Sequence, residues 1–600
     1  MTTFKQAGLF IYQGGVNSVY NITSSYPQPS ICLNQGVDPL QKLHHPLAIL
    51  RFALPENATE NERIYLSYQR AAAVLKAYGM TAVDVLRLTP KFWDVHLDLI
   101  GAFDYGTYVL MTIQVNLAAG TVAPFAEEQP QYRKLLEQIL NFEISAQYML
   151  TEVGHGLDAK NLETTATMLP SGEFDLHTPN PSAAKFMPPS SPVKGLPRLA
   201  IVFAQLIVSD ENRGVRPFIT WLSDGQEMCD GVTSQIIHRR AGARPLDHAI
   251  TTFTHVRLPR SALLGTLEKP KDKQKQFLSS IWRIGVGTLA LPLNMIPVMK
   301  RAVFVAGKYS QQRHILGPDE KPKPIISFRT QYGPILHTLA QISVFEAYAQ
   351  ASTKYFQDPN VAPPVQHAIG TMLKAVFHKA GQASLFTLSE RCGARGLFEN
   401  NHIIESMLET RGISIAEGDS LVLSIRLTSE LLLNRYEMLP AKEPTSRLAK
   451  HEQGLFDELR AMTNTISGGH RGEDFDRLIL PRSQEFVEAM GYRIAYEAAI
   501  QARVDHDLVA LYEIWVMLQD QSWFIQHAGL TREYMFQIEA QRLSAVLPHL
   551  DALLDATGAE PYCTAPILSQ TSWDHFVDQL ETKTGSRTTN ISLSRARAML

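Results

Sequence analysis

The spacing of apolar residues changes twice along this 600-residue chain, and that alternation constrains its fold more than any other feature. From about Glu60 to Leu150, apolar residues such as Ile64, Tyr68, Ala71 and Leu75 recur every three or four positions, the spacing of one buried helix face. Between Thr151 and Arg260 the pattern breaks into short β-prone runs: Glu173 to Thr178, Leu199 to Val208, Phe218 to Leu222 and Ile250 to Val256. Pro, Gly and Asp separate them. Helical spacing returns after about Lys275 and continues to Met438, interrupted by a loop at Gly317 to Pro324. Pro440 and Pro444 open a polar linker into a second helical block, whose faces are marked by Val487, Met490 and Ile494, then by Leu508, Leu511, Trp515 and Leu518. The expected architecture is multidomain α+β. It has a helical N-terminal domain over 1–148, a central, mostly antiparallel β domain over 149–270, a helical bundle over 271–440 and a further C-terminal helical domain over 441–600.

Composition narrows the partners. Lys plus Arg number 56 against 59 Asp plus Glu, a net charge of -3 with no long run of one sign, so no nucleic-acid partner is expected. Cys32, Cys229, Cys392 and Cys563 show neither CxxC spacing nor a neighbouring His pattern, which points away from a metal site or a disulfide framework and toward a reducing compartment. The start, MTTFKQAGLF, has no basic stretch followed by an apolar core, so no secretory signal is read and the Asn21 to Thr23 triplet is taken as accidental. The apolar stretch between Arg283 and Lys300 is short for a bilayer and contains Pro292 and Pro297; it reads as a buried helical segment, not a membrane span. At the end, Arg597-Ala598-Met599-Leu600 has Met599 where the small-basic-Leu peroxisomal address has a basic residue, which leaves peroxisomal and cytoplasmic locations both open.

Function is carried by motifs. Tyr148-Met-Leu-Thr-Glu-Val-Gly-His-Gly156, followed by Leu162-Glu-Thr-Thr-Ala-Thr167, resembles the TE-x-GHG and GLETTAT region of the acyl-CoA oxidases, a branch of the acyl-CoA dehydrogenase superfamily. Ala204-Gln205-Leu206, Pro217-Phe218-Ile219 and Phe253 to Arg260 continue the likeness in the same order. The resemblance implies an FAD-dependent enzyme in which Thr151 is a flavin-contacting hydroxyl and the loop closing at Gly156 lets backbone approach the cofactor. Lys185 to Pro189 falls where the family reads Lys-Trp-Trp-Pro-Gly, so Met187 would sit near the flavin and Pro189 replaces a glycine.

Further along, Lys308 to His314 matches a Tyr-Ser segment and keeps Arg313, the arginine that in the family reaches a pyrophosphate across a homodimer interface. Ile315 replaces the glutamine that usually follows, while Gln331 stands at a second family position. Glu390 to Leu397 corresponds to the CGG-HGY loop against the cofactor. Cys392, Gly393 and Gly396 are kept, and Ala394, Arg395 and Leu397 replace a glycine, a histidine and a tyrosine. Ile415 to Ser420 resembles the segment that supplies the catalytic base, here Glu417; taken alone, the same acid also reads as a helix N-terminal residue.

The implied reaction is α,β-desaturation of an acyl-CoA or related substrate to a trans-2-enoyl-CoA, with dioxygen as acceptor. The helical domain beyond residue 445 favours the oxidase over the dehydrogenase branch. Two alternatives stay open at this point: a member recruited to a specialised acyl or polyketide-derived substrate, and a catalytically silent interaction scaffold.

Overall fold

In the computed structural model, described over residues 58–585 except 194, 238, 239 and 243–245, most of the chain is helical around a central β region. Cys32, Asn21 to Thr23, the N-terminal residues and Arg597 to Leu600 lie outside the described residues.

The first long helix, Glu60–Tyr78, begins with a capping box: the Thr59 hydroxyl accepts from Glu62 N, and the Glu62 carboxylate accepts from Thr59 N. Gly79 ends it in the left-handed region. Tyr68, Ala71 and Leu75 face inward as their spacing predicts. The N-terminal helices then run through Tyr105–Thr112, a π-helical turn Ile113–Ala119, and Gly120–Glu128. The helical spacing read up to Leu150 stops earlier than expected, because Ser145–Met149 is already strand β1.

After β1 come β2 (Thr165–Met168), β3 (Phe174–His177), β4 (Lys185–Pro189), β5 (Arg198–Val208), β6 (Glu211–Ser223), β7 (Val232–Ile236), β8 (His248–Phe253) and β9 (Val256–Leu258). The β region is mostly antiparallel, as expected, with five antiparallel pairings and two parallel ones. β5 pairs in parallel with β1 and β2 and antiparallel with β6, and β2, β3 and β9 continue the sheet. The reason is connectivity: the chain leaves β2 through β3 and β4 before returning to β5, so that pairing cannot form through a tight hairpin. β5 and β6 are joined by Ser209 and Asp210, both with positive φ, as a two-residue hairpin turn requires. A separate sheet has the order β4, β8, β7. The run Ile250 to Val256 is not one strand; His255 takes a positive φ between β8 and β9.

Helices resume at Lys273–Ser280. The stretch between Arg283 and Lys300 forms helix Trp282–Ala290, a 3-10 turn holding Pro292, and the start of Met295–Gln312, with Pro297 in its first turn. Helices Tyr105–Glu128 and Trp282–Gln312 are long and apolar enough to cross a membrane, and in this fold most of each is buried within the protein. The expected loop at Gly317 to Pro324 belongs to a small hairpin, His314–Leu316 with Pro322–Pro324. Two 29-residue helices, Arg329–Gln357 and Pro363–Arg391, form the bundle's centre, and Ser483–Gln501 packs on both.

One buried network ties the first helix to the sheets. Arg198 of β5, fully buried, donates to Asp247 (2.9 Å) and to the Tyr68 hydroxyl (2.7 Å), while Tyr68 and Ser191 donate to the same carboxylate. Arg198→Met would leave Asp247 as a buried, uncompensated charge, and loss of about 3–5 kcal/mol of stability is expected, read as a lower denaturation midpoint.

Candidate active site

Glu417 stands on a tight loop and takes a φ of +56°, followed by Gly418 at +96°. A left-handed glutamate is held only if its surroundings insist. Here Lys374, buried in helix Pro363–Arg391, donates to the carbonyl of Ala416 (2.5 Å) and to that of Gly418, straddling the residue, and Thr288 donates to the Glu417 carbonyl (3.0 Å). The next helix, Ser420–Leu432, is capped by Asp419, which accepts from Leu421 N and Val422 N. The helix-capping role that Glu417 might have had is therefore filled by its neighbour.

The side chain turns inward against helix Trp282–Ala290. A Cβ at Gly287 would lie 1.2 Å from Glu417 Oε2, so the carboxylate occupies the space a side chain would fill. Oε2 is buried and has no hydrogen-bond partner. Around it lie Asn116 on the π-helical turn, the buried Arg283, and Tyr148 of β1, whose hydroxyl is also buried and unpartnered. Arg283 donates to the carbonyls of Asn116 (2.7 Å) and Val85 (3.1 Å), and one of its terminal nitrogens, Nη2, has no partner. Burial pushes Glu417 up to about 7, with Lys374, Arg283 and Asn116 pulling the other way. Burial likewise draws Lys374 down to about 8, against the pull of Glu417 and Asp419.

The Thr151 loop is anchored by the residue beside it. Glu152 is buried and paired with the buried Lys185 (2.8 Å); it also accepts from Glu163 N, Thr164 N and the Thr164 hydroxyl. Thr151 O accepts from Phe186 N (2.9 Å), which fixes the loop to β4. The Thr151 hydroxyl makes no hydrogen bond among the described residues. Met187 lies on β4 with its carbonyl accepting from His248 Nδ1 (2.7 Å), and Pro189 is buried opposite His248. Gly156 is exposed, with open space where a Cβ would stand, so no close approach within the chain requires a glycine there. Tyr148, three residues before Thr151, brings this strand within electrostatic range of Glu417.

The other predicted residues gather elsewhere, at the ends of helices Met295–Gln312 and Pro363–Arg391. Gln331 spends its amide donor on the Ser310 hydroxyl (2.8 Å) and the Arg391 carbonyl (2.7 Å). Gly393 takes a φ of +58°, and a Cβ at Gly396 would lie 1.9 Å from the Ser389 carbonyl oxygen. Arg313 is exposed, and its guanidinium has no hydrogen bond or ion pair among the described residues. Arg395, which replaces the family's histidine, lies over the ring of Trp573 at 3.8 Å and near that of Tyr309. Among the described residues no hydrogen bond, ion pair or ring contact links this second group to Thr151 or Glu417.

Asn116, Tyr148, Arg283, Gly287 and Lys374 were not singled out in the sequence as candidates. Lys374 carried a readable signal, a lone cation on the apolar face of a long helix. Asn116 and Gly287 carried none, since only the folded helices bring them to the carboxylate.

A helical N-terminal region, a β region and a helical bundle, in the order seen here, make up the acyl-CoA dehydrogenase fold. The acyl-CoA oxidase C-alpha1 domain family matches residues 289–432. Peroxisomal acyl-coenzyme A oxidase 2 of Arabidopsis thaliana is 24% identical over 465 residues, 73% of this chain and 66% of that protein. Peroxisomal acyl-coenzyme A oxidase 1 of Dictyostelium discoideum is 28% identical over 336 residues, 50% of this chain and 47% of that protein. Among solved structures, acyl-CoA oxidase 1 of Yarrowia lipolytica superposes with a TM-score of 0.76 at 19% identity, covering 93% of this chain and 92% of that one. Acyl-CoA oxidase-1 of Caenorhabditis elegans, solved with FAD and ATP, gives 0.74 at 17% identity, covering 93% of each chain. By these comparisons the chain is similar to the acyl-CoA oxidases, and its matches span roughly half to two-thirds of the length of the first curated relatives.

Two outcomes follow from the packing. Gly287→Ala should displace the Glu417 carboxylate and cost about 1–3 kcal/mol, measured by denaturant unfolding. Lys374→Met removes a neighbouring positive charge, so the Glu417 pKa should rise above about 7, observed as the pH at which the carboxylate infrared band appears, with Glu417→Gln as the blank.

Proposed function

We propose that this chain is an FAD-dependent acyl-CoA oxidase in which Glu417 removes the α-proton of an acyl thioester to give a trans-2-enoyl thioester. The observation that carries this reading is a buried carboxylate, unpartnered at Oε2, whose pKa is pushed up to about 7. Near neutral pH such a group both accepts a proton readily and is substantially ionised. The Glu417 N–H makes no hydrogen bond among the described residues, which leaves it to donate to the thioester carbonyl as negative charge develops there. Lys374 and Thr288 keep that N–H and the carboxylate in fixed relation by holding the three carbonyls of the loop.

The residues present fit FAD. The Thr151 hydroxyl has no internal partner, the Arg313 guanidinium is an exposed and uncommitted cation, and the Gly396 position admits no side chain. When bound, FAD supplies the acceptor for the β-hydrogen. Thr151, Met187 and the loop through Gly156 would hold it near Glu417, with Pro189 supporting the strand. Arg313, Gly393, Gly396 and the Gln331 side-chain oxygen would hold it from the second group. Because that group stands apart from Glu417 within one chain, the reading includes a homodimer in which one chain completes the site of its partner. Dioxygen as electron acceptor, a peroxisomal location and the four-part division at 148, 270 and 440 belong to the same proposal, supported by the relatives' names and by the order of the elements. A silent scaffold has no need of a buried, unpartnered carboxylate, so that alternative is set aside.

Glu417→Gln should retain flavin absorbance and lower turnover of acyl-CoA by about 10²–10⁴-fold, and undiminished turnover would refute the assignment. A base works only when ionised, so kcat/KM should rise with pH through about 7 and fall on the acid side of it.

A further inference from the structure

Arg395 stands where the acyl-CoA oxidase pattern has a histidine, and its side chain is fixed in place without a counter-charge. The guanidinium carbon lies 3.8 Å from the ring centroid of Trp573 and 5.9 Å from that of Tyr309, and the group makes no hydrogen bond or ion pair among the described residues. Ring contacts of this kind hold the charge and leave its N–H donors unspent.

The stretch of chain that carries Trp573 also grips the backbone on which the arginine stands. Asn401, 1% exposed, donates from Nδ2 to the Arg395 carbonyl (2.8 Å), while its Oδ1 accepts from Ile567 N (3.3 Å). Gln312, the neighbour of Arg313, donates to the carbonyl of Leu568. Residues 567–573 thus touch both arginine-bearing turns, one through Asn401 and Trp573 and the other through Gln312.

The two arginines meet at Tyr309. Burial raises the pKa of its hydroxyl, and Arg395 and Arg313 both pull it back, so both positive charges act on that one oxygen. The acids on the adjoining elements are already engaged: Asp555 pairs with Lys308 (3.2 Å), Asp551 accepts from Gln311, Glu390 pairs with Arg391 (3.3 Å) and Asp574 accepts from Gln570 (2.6 Å). None of them forms an ion pair with Arg313 or Arg395 among the described residues. Two guanidinium groups with free donors beside one tyrosine suit a ligand carrying two linked phosphates, which offers each fork its own set of oxygens.

We propose that Arg395 is a second arginine on the pyrophosphate of FAD, beside Arg313, and that Trp573 is its positioning residue, so that the C-terminal helix Gln570–Asp578 takes part in holding the cofactor. This rests on the FAD-dependent reading and goes beyond it, because it gives a task to a residue that departs from the family pattern and to a helix outside the bundle.

The test dilutes full-length, FAD-loaded protein and follows the flavin fluorescence that appears on release, at low and at high salt. Arg395→Met should weaken FAD binding by on the order of ten- to a hundredfold and make the affinity less sensitive to salt. Trp573→Leu should weaken it by about three- to thirtyfold and blunt the salt dependence in the same direction, and Trp573→Phe, which restores a ring face, should recover most of the loss. Arg395→Met removes no buried side chain, so it stands as a test even if Trp573→Leu unfolds the helix. FAD affinity and salt dependence unchanged by Arg395→Met overturn the proposal, and so does a weakening of acyl-CoA binding in place of FAD binding, which would assign the pair to the diphosphate of the substrate. A loss in Trp573→Leu that Trp573→Phe fails to recover overturns the positioning role. Wild-type protein that takes up no FAD overturns the enzymatic reading together with this inference, whereas wild type and variants that hold FAD equally well overturn this inference alone.

Discussion

A carboxylate can sit inside this protein because helix Trp282–Ala290 gives up a side chain at Gly287. The space a methyl group would need is where Glu417 Oε2 lies, so the helix and the Glu417 loop are complementary at a single position. Everything around that contact serves to keep it. Lys374 grips the carbonyls on either side, Thr288 takes the one between, and Asp419 caps the following helix so that Glu417 need not. The strained φ of Glu417 is therefore held by hydrogen bonds from two different helices, and its carboxyl group is left with no bond to satisfy Oε2. That unmet need sits on the carboxylate the proposed reaction uses.

The motif in which this chain most clearly resembles the acyl-CoA oxidases works partly as a folding device. In Thr151-Glu-Val-Gly-His-Gly156, the residue that holds the structure is Glu152. Its carboxylate gathers Lys185 from β4 and the backbone and hydroxyl of Thr164, and Lys185 in turn donates to the Phe203 carbonyl in β5. Two separated sequence motifs, one around Thr151 and the other around Thr164, are thus joined by hydrogen bonds to the Glu152 carboxylate, which its ion pair with Lys185 holds in place. The loop carrying Thr151 is positioned by this hub, while the Thr151 hydroxyl itself stays uncommitted.

Much of the architecture was legible because it depends on local periodicity. The inward set Tyr68, Ala71 and Leu75, the strand from Leu199 to Val208 and the buried stretch after Arg283 all follow from spacing and from where Pro and charge occur. What spacing could not show was pairing across distance. The parallel alignment of β1 and β2 with β5 depends on how the chain travels through β3 and β4, and β1 itself hid at the end of a helical stretch. The site divides the same way. Glu417 and Thr151 could be named from motif, whereas Asn116 emerges only because the chain widens into a π-helical turn there, exposing its carbonyl to Arg283. The replacement of histidine by Arg395 was readable as a departure, but its outcome, a stack on Trp573 of the C-terminal helix Gln570–Asp578, needed the fold.

The buried cations sort themselves by how they are satisfied. Arg198 and Lys185 each have a carboxylate, Asp247 and Glu152, and both pairs join elements of the framework. Lys374, Arg283 and Arg301 are equally buried, yet their hydrogen bonds go to backbone carbonyls and none forms an ion pair among the described residues. Carbonyl dipoles offset only part of the cost of desolvating a full charge, so these three remain in electrostatic deficit. Two of them surround Glu417, where their charge opposes the burial that would otherwise drive its pKa higher still. The third borders a cavity with a nitrogen unmet. Arg216, also buried, is held in the same way by the carbonyls of Val215 and Glu268, so carbonyls alone can keep a cation inside this fold; what sets Lys374 and Arg283 apart is the carboxylate they share.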